Sequence, residues 1–129
     1  MSGRYLLDTN IIIDLFRGDS KAIARVNQIE VIYVPVIVIG ELYFGANRSN
    51  QLQKRTSEIE QLEKMVTILE ISRTTAQIYG RIKEQLLEKG KPIPENDIWI
   101  AAIAAENEMV LITRDGHFEQ VDGIMTEKL

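Results

Sequence analysis

The sequence predicts an α/β fold: a mainly parallel sheet of four to five strands, covered by helices on both faces. Three observations predict it. Short apolar or β-branched runs, "YLL", "VIYV", "TILEI" and "VLIT", recur along the 129 residues. Segments with helical spacing lie between them, and strands alternating with helices build parallel sheets buried on both faces. The runs "RYLLDTN" and "VLITRDGHF" each lead into an aspartate, Asp8 and Asp115. In such sheets functional groups collect beyond the carboxyl ends of the strands.

Tyr5, Leu6 and Leu7 form the first strand. Asn10 can cap a helix whose apolar residues Ile11, Leu15 and Phe16 share a face, with Gly18 at its end. Ser20 can cap the next, with Ile23, Val26 and Ile29 inward, before "VIYV" gives a strand stopped by Pro35. The segment "VIVIGELYFG" is ambiguous, because its β-branched residues suit a strand while Pro35 and Gly45 suit the two ends of a helix. It is read as a helix. From Asn50 to Val66, Leu52, Ile59, Leu62 and Val66 keep helical spacing, and Glu60 stands four residues before Lys64. "TILEI" is the third strand. Ala76, Tyr79, Ile82 and Leu86 then form the stripe of a long helix ended by Gly90. After Pro92 and Pro94, "NDIWIAAIAAENEM" is apolar nearly all round, which predicts a helix packed inside the fold. "VLIT" is the fourth strand, and "GIM" adds a fifth at an edge.

One domain spanning 1–129 is expected, since a chain of this size buries a single core. An apolar fraction of 45% and a charged fraction of 26% are ordinary for a soluble globular protein. No run approaches the roughly 18 apolar residues of a membrane span. The start "MSGRYLL" lacks the apolar core of a secretory signal. Absence of cysteine excludes disulfides and thiolate metal sites. A cytoplasmic location fits. With a net charge of −4, the whole-molecule field does not attract nucleic acid. A phosphate-bearing partner therefore requires a local basic rim or bound cations.

The carboxylates satisfy the second condition. Asp97 opens an almost wholly apolar helix, and Glu41 interrupts the otherwise uncharged stretch from Val31 to Asn47. Carboxylates among apolar neighbours carry a desolvation cost that donors, counter-charges or a metal must offset. Several acidic oxygens at one place suit Mg²⁺ or Mn²⁺, and without a cation their mutual repulsion would drive protonation.

"LLDTN", "GEL" at Glu41, "PENDIWIAAIA" around Asp97 and "LITRDGHF" around Asp115 together resemble the PIN-domain ribonucleases, above all the VapC-type toxins of bacterial toxin-antitoxin pairs. The resemblance covers essentially the whole chain. It implies a three-layer α/β/α fold and an endoribonuclease that uses one or two Mg²⁺ or Mn²⁺ ions to hydrolyse RNA phosphodiesters with a metal-activated water. It also implies a homodimer and a cognate antitoxin that blocks the pocket. By position, Asp8, Glu41, Asp97 and Asp115 match the family's catalytic, metal-binding acidic quartet, with Asp8 and Asp97 the leading ligands. Thr9, Asn10, Asn96 and Thr113 match supporting residues. Arg17, Arg48, Lys54 and Arg55 are candidates for RNA contact at the rim. In two places the chain departs from the pattern: "VPVIVIGE" lacks a serine or threonine that many relatives carry, and Arg114 stands where other side chains also occur.

Plainer readings compete residue by residue. Asp8 or Asp115 alone reads as a cap or turn residue, and Asp97 as a residue favoured by the helix dipole, with Asn96 as cap. Jointly those readings need four coincidences. His117, the lone histidine, reads as structural beside Phe118, and Trp99 and Phe118 read as packing residues. Asp14 and Asp19 read as solvated, Asp14 being close enough to Asp8 to serve as an accessory. A phosphatase or receiver module needs a lysine near its aspartate, and Lys128 lies at the terminus. A nuclease fold reduced to binding RNA or protein would have lost quartet members, and none is lost.

Overall fold

The computed structural model describes residues 3–129. The chain runs β1 (Tyr5–Leu7), α1 (Thr9–Phe16), α2 (Ser20–Val26), β2 (Ile32–Pro35), α3 (Val36–Arg48), α4 (Leu52–Glu63), β3 (Thr67–Leu69), α5 (Arg73–Lys89), α6 (Glu95–Asn107), β4 (Val110–Thr113), a 3-10 turn (Gly116–Gln120) and β5 (Met125–Lys128). The five strands form one sheet in the order β3-β2-β1-β4-β5. Every pairing is parallel. With its helices the sheet makes a three-layer α/β/α domain, wholly rather than mainly parallel.

The central strands carry the core. Leu6, Leu7, Leu111 and Ile112 are fully buried, as strands covered on both faces require. Residues Ile100 to Ala104 on α6 are buried in succession, so the middle of this helix is enclosed on all sides as its composition predicts. The ambiguous segment after Pro35 is helical. Val38, Ile39, Leu42 and Ala46 are its buried residues, and burying that 3.6-residue stripe outweighs the strand preference of the valines and isoleucines. The helix runs past Gly45 to Arg48.

Several local expectations are corrected. α1 is capped by Asp8, whose side chain accepts from the Thr9 N–H, and not by Asn10. α2 is capped by Asp19, accepting from Ala22, and not by Ser20. α6 has Pro94 at its N-cap position with no side-chain cap, placing Asn96 inside the first turn. Ile23 and Ala76 are exposed rather than inward. The third strand stops at Leu69. The fifth lies at Met125–Lys128 instead of "GIM", because pairing with β4 sets its register, Val110 opposite Met125 and Thr113 opposite Lys128. Lys128 is thus part of the sheet, and its ammonium approaches Gly116. Among the described residues, no helix is long and apolar enough to cross a membrane.

Candidate active site

Parallel strands present all their carboxyl ends at one sheet edge. β1 pairs with β2 on one side and β4 on the other. The chain therefore reverses its direction of winding between β1 and β4, the place where open α/β sheets leave a crevice. Asp8 follows β1 directly, and Thr113 ends β4, with Arg114 and Asp115 next in the chain.

Asp8 is buried, with 5% of its surface exposed. Its Oδ1 accepts from the Thr9 N–H at 2.8 Å. Its Oδ2 accepts from the Thr113 hydroxyl at 2.6 Å and from Asn10 Nδ2 at 3.4 Å. Burial pushes its carboxyl above the ordinary range, the bonds from Thr113 and Thr9 pull it down, and the Glu41 and Asp115 charges push it up again. The same Thr113 hydroxyl accepts from the Asp115 N–H at 2.9 Å. Asn10 completes the bridge by accepting from the Arg114 N–H at 3.2 Å. Thr9, Asn10 and Thr113 thus lock the two strand ends together. Thr9 also donates its hydroxyl to Glu41 Oε1 at 2.7 Å, bringing α3 to the same edge.

Asp97, in the first turn of α6, faces Asp115 across the crevice. His117 Nδ1 lies 3.0 Å from Asp97 Oδ2 and 3.0 Å from Asp115 Oδ1. Burial, with the Asp8 and Asp115 charges adding to it and His117 opposing, pushes the Asp97 carboxyl up to about 6. Glu41, Asn96, Asp97, Asp115 and His117 line an open hollow of about 420 Å³.

A PIN-domain family model matches residues 5–124. The chain belongs to the PIN-domain family. Its similarity to known members extends over almost its full length. Ribonuclease VapC2 of Haemophilus influenzae is 36% identical over 96% of each chain. The solved VapBC-1 structure from nontypeable Haemophilus influenzae superposes with a TM-score of 0.88 at 33% identity, over 96% of each chain. A toxin-antitoxin complex from Klebsiella pneumoniae gives 0.72 at 26% identity, covering 97% of this chain and 99% of that one.

In this PIN domain the four acidic residues expected to act together feel one another's charge, since Glu41 and Asp115 act on Asp8, and Asp8 and Asp115 act on Asp97. Among the described residues, the only basic side chain in ion-pair range of any of them is His117. Hydroxyl and amide donors balance Asp8, but no arginine or lysine neutralises the group. Such a donor set fits a hard divalent cation. The tightest group of ligand-type atoms is Asp97, Asp115 and His117, all within 4.8 Å of one another, with Asp8 and Glu41 outside that limit.

Other expectations fare differently. His117, read as structural, sits inside the acidic group. Its spacing of two residues after Asp115 was visible, but its approach to Asp97 depends on how α6 packs. Arg114 turns away from the quartet to pair with Asp14 and Asp19, so neither aspartate is simply solvated. Arg17 and Arg55 line a second, more apolar hollow of about 250 Å³ between α1, α3 and α4, which shares Glu41 with the acidic one. Arg55 is paired with Glu58 at 3.0 Å. Arg48 and Lys54 are exposed, Arg48 lying over the Phe44 ring at 5.8 Å. Trp99 stacks on Tyr79 with centroids 3.9 Å apart, a packing contact between α6 and α5.

Proposed function

We propose that this single domain, 1–129, is a metal-dependent endoribonuclease and the toxin of a toxin-antitoxin pair. Asp8, Glu41, Asp97 and Asp115 are its catalytic, metal-holding residues, and it works in the cytoplasm. One observation carries the reading: four carboxylates, on α3 and α6 and just after β1 and β4, converge on one edge, and among the described residues no lysine or arginine pairs with them. Keeping a crowded acidic group ionised at neutral pH costs stability, and a bound cation offsets that cost. Relatives that are named ribonucleases, and the similar fold in the Klebsiella pneumoniae toxin-antitoxin complex, support the choice of RNA as substrate and an antitoxin as partner. A homodimer is part of the same reading.

Asp97, Asp115, Glu41 and Asp8 would hold one or two Mg²⁺ or Mn²⁺ ions. When bound, such an ion supplies a water of lowered pKa and offsets charge developing on the phosphate. The protein's own contribution is positioning. Thr113 and the Thr9 N–H fix both oxygens of Asp8, the Thr9 hydroxyl fixes Glu41, and Asn10 holds the β4 end against α1. Asn96 stands exposed on the rim beside Asp97, where it can meet substrate.

The test is cleavage of structured RNA by the chain freed of copurifying protein, in Mg²⁺ or Mn²⁺. EDTA should abolish it, and Asp8→Asn or Asp97→Asn should lower it on the order of a hundredfold or more. Cleavage unchanged in both variants would refute the site. Metal binding without cleavage on any RNA tried would make the chain a silent binding module.

A further inference from the structure

His117 reaches the acidic group by a local device. Asp115 caps the 3-10 turn Gly116–Gln120 by accepting from the His117 N–H at 2.9 Å, which folds the imidazole back over its own cap. Its Nδ1 then stands 3.0 Å from oxygens on two different carboxylates. A ring nitrogen carries at most one proton, so it cannot point a linear hydrogen bond at both oxygens. The spacing has another reading. Adjacent ligand atoms of an octahedral ion, each about 2.1 Å from it, stand about 3.0 Å apart. Nearly half of the side chain is exposed, 49%, and it borders the open hollow rather than the core, so packing does not demand a histidine here.

Resting on the metal-dependent reading above, we infer that His117 Nδ1 is a nitrogen ligand alongside Asp97 and Asp115, and that it sets the ion preference of this nuclease. Oxygen ligands with retained water suit Mg²⁺, whereas an imidazole favours the later divalent transition ions. One nitrogen in an otherwise carboxylate set shifts the balance from Mg²⁺ toward Mn²⁺ and, further, Co²⁺. His117 is a specificity-determining residue for the ion, not a proton carrier.

The test uses the full chain, stripped of metal and of any copurifying partner, with the ions themselves as probes. Mn²⁺ bound to the wild type should show spin-echo modulation from one directly coordinated ¹⁴N nucleus. His117→Asn, which offers an oxygen near the Nδ1 position, should abolish that modulation. By calorimetry, the ratio of Co²⁺ to Mg²⁺ affinity should fall about tenfold in His117→Asn, while Mg²⁺ affinity itself changes by less than about threefold. If wild-type Mn²⁺ binds, is lost in Asp97→Asn and yet shows no nitrogen coupling, the inference falls and the nuclease reading stands. If the wild type binds no divalent ion at all, both fall. The spectrum of the wild type decides the matter whether or not the variant folds.

Discussion

The Thr113 hydroxyl reaches from the end of β4 to donate to Asp8 Oδ2 at 2.6 Å, joining residues 105 positions apart. It simultaneously accepts from the Asp115 N–H, so one buried hydroxyl organises two of the four acidic residues. Thr113→Val preserves shape and removes both bonds. A hydrogen bond to a buried charge is worth about 1.5–3 kcal/mol, and a loss of that order is expected in urea unfolding at pH 7 in EDTA. Thr113→Ser should recover most of it. Equal stability of Thr113→Val and wild type would show that the hydroxyl does not support the Asp8 charge.

Asp97 is expected to trade stability for function. Its carboxyl is raised from 3.8 to about 6, chiefly by burial, and a pKa unit is worth about 1.4 kcal/mol. Holding it ionised at neutral pH in the metal-free protein therefore costs roughly 2 to 3 kcal/mol. Asp97→Asn removes the charge while retaining the shape. In EDTA, Asp97→Asn should unfold at higher urea than wild type, and with Mg²⁺ or Mn²⁺ restored it should lack the wild type's nuclease activity. A destabilised variant would mean that the His117 contact outweighs the desolvation cost.

The pH dependence follows with a definite sign. Because the folded pKa of Asp97 exceeds its unfolded value, the folded state binds the proton more tightly. Its contribution is fully present below about pH 4 and is lost as pH rises through about 6. In EDTA, the difference in stability between wild type and Asp97→Asn should shrink as pH falls from 7.5 to 4.5. Divalent-ion affinity should move the other way, weakening below about pH 6 as protons compete for the same oxygens. A wild-type to Asn difference that is flat across this window would contradict the assignment.

How much of this was legible follows from the range of the interaction involved. β1 and β4 were readable because each is a short apolar run, and α6 because alanines and isoleucines surround it. That Asp8, Glu41, Asp97 and Asp115 lie near one another was readable through the order of the motifs along the chain. The helix caps were not, because "LLDTN" offers three capping side chains in a row and "GDS" two, and only the extended backbone at Asp8 and Asp19 selects the earliest one. β5 was displaced by two residues because its register comes from β4, a long-range pairing that local propensity does not encode. The approach of His117 to Asp97 was hidden for the same reason, Asp97 being 20 residues away on another helix.

Arg114 offers a separation of structural from catalytic effects at adjacent positions. Its guanidinium bonds Asp14 on α1 and, at 3.0 Å, Asp19 at the cap of α2. The site receives from Arg114 only its main-chain N–H, which donates to Asn10 and survives any side-chain change. Both Arg114 and Asp19 are about a third or more exposed, at 34% and 39%, so water and salt screen the pair and its worth is about 1 kcal/mol or less. Arg114→Gln should lower the urea midpoint slightly, with the deficit shrinking as salt is raised toward 1 M, where exposed charges are screened within about 3 Å. Nuclease activity should stay within about threefold of wild type, in contrast to the loss expected at Asp97. A hundredfold loss in a stably folded Arg114→Gln would place the guanidinium in contact with RNA and overturn its assignment as a clasp between β4 and the first two helices.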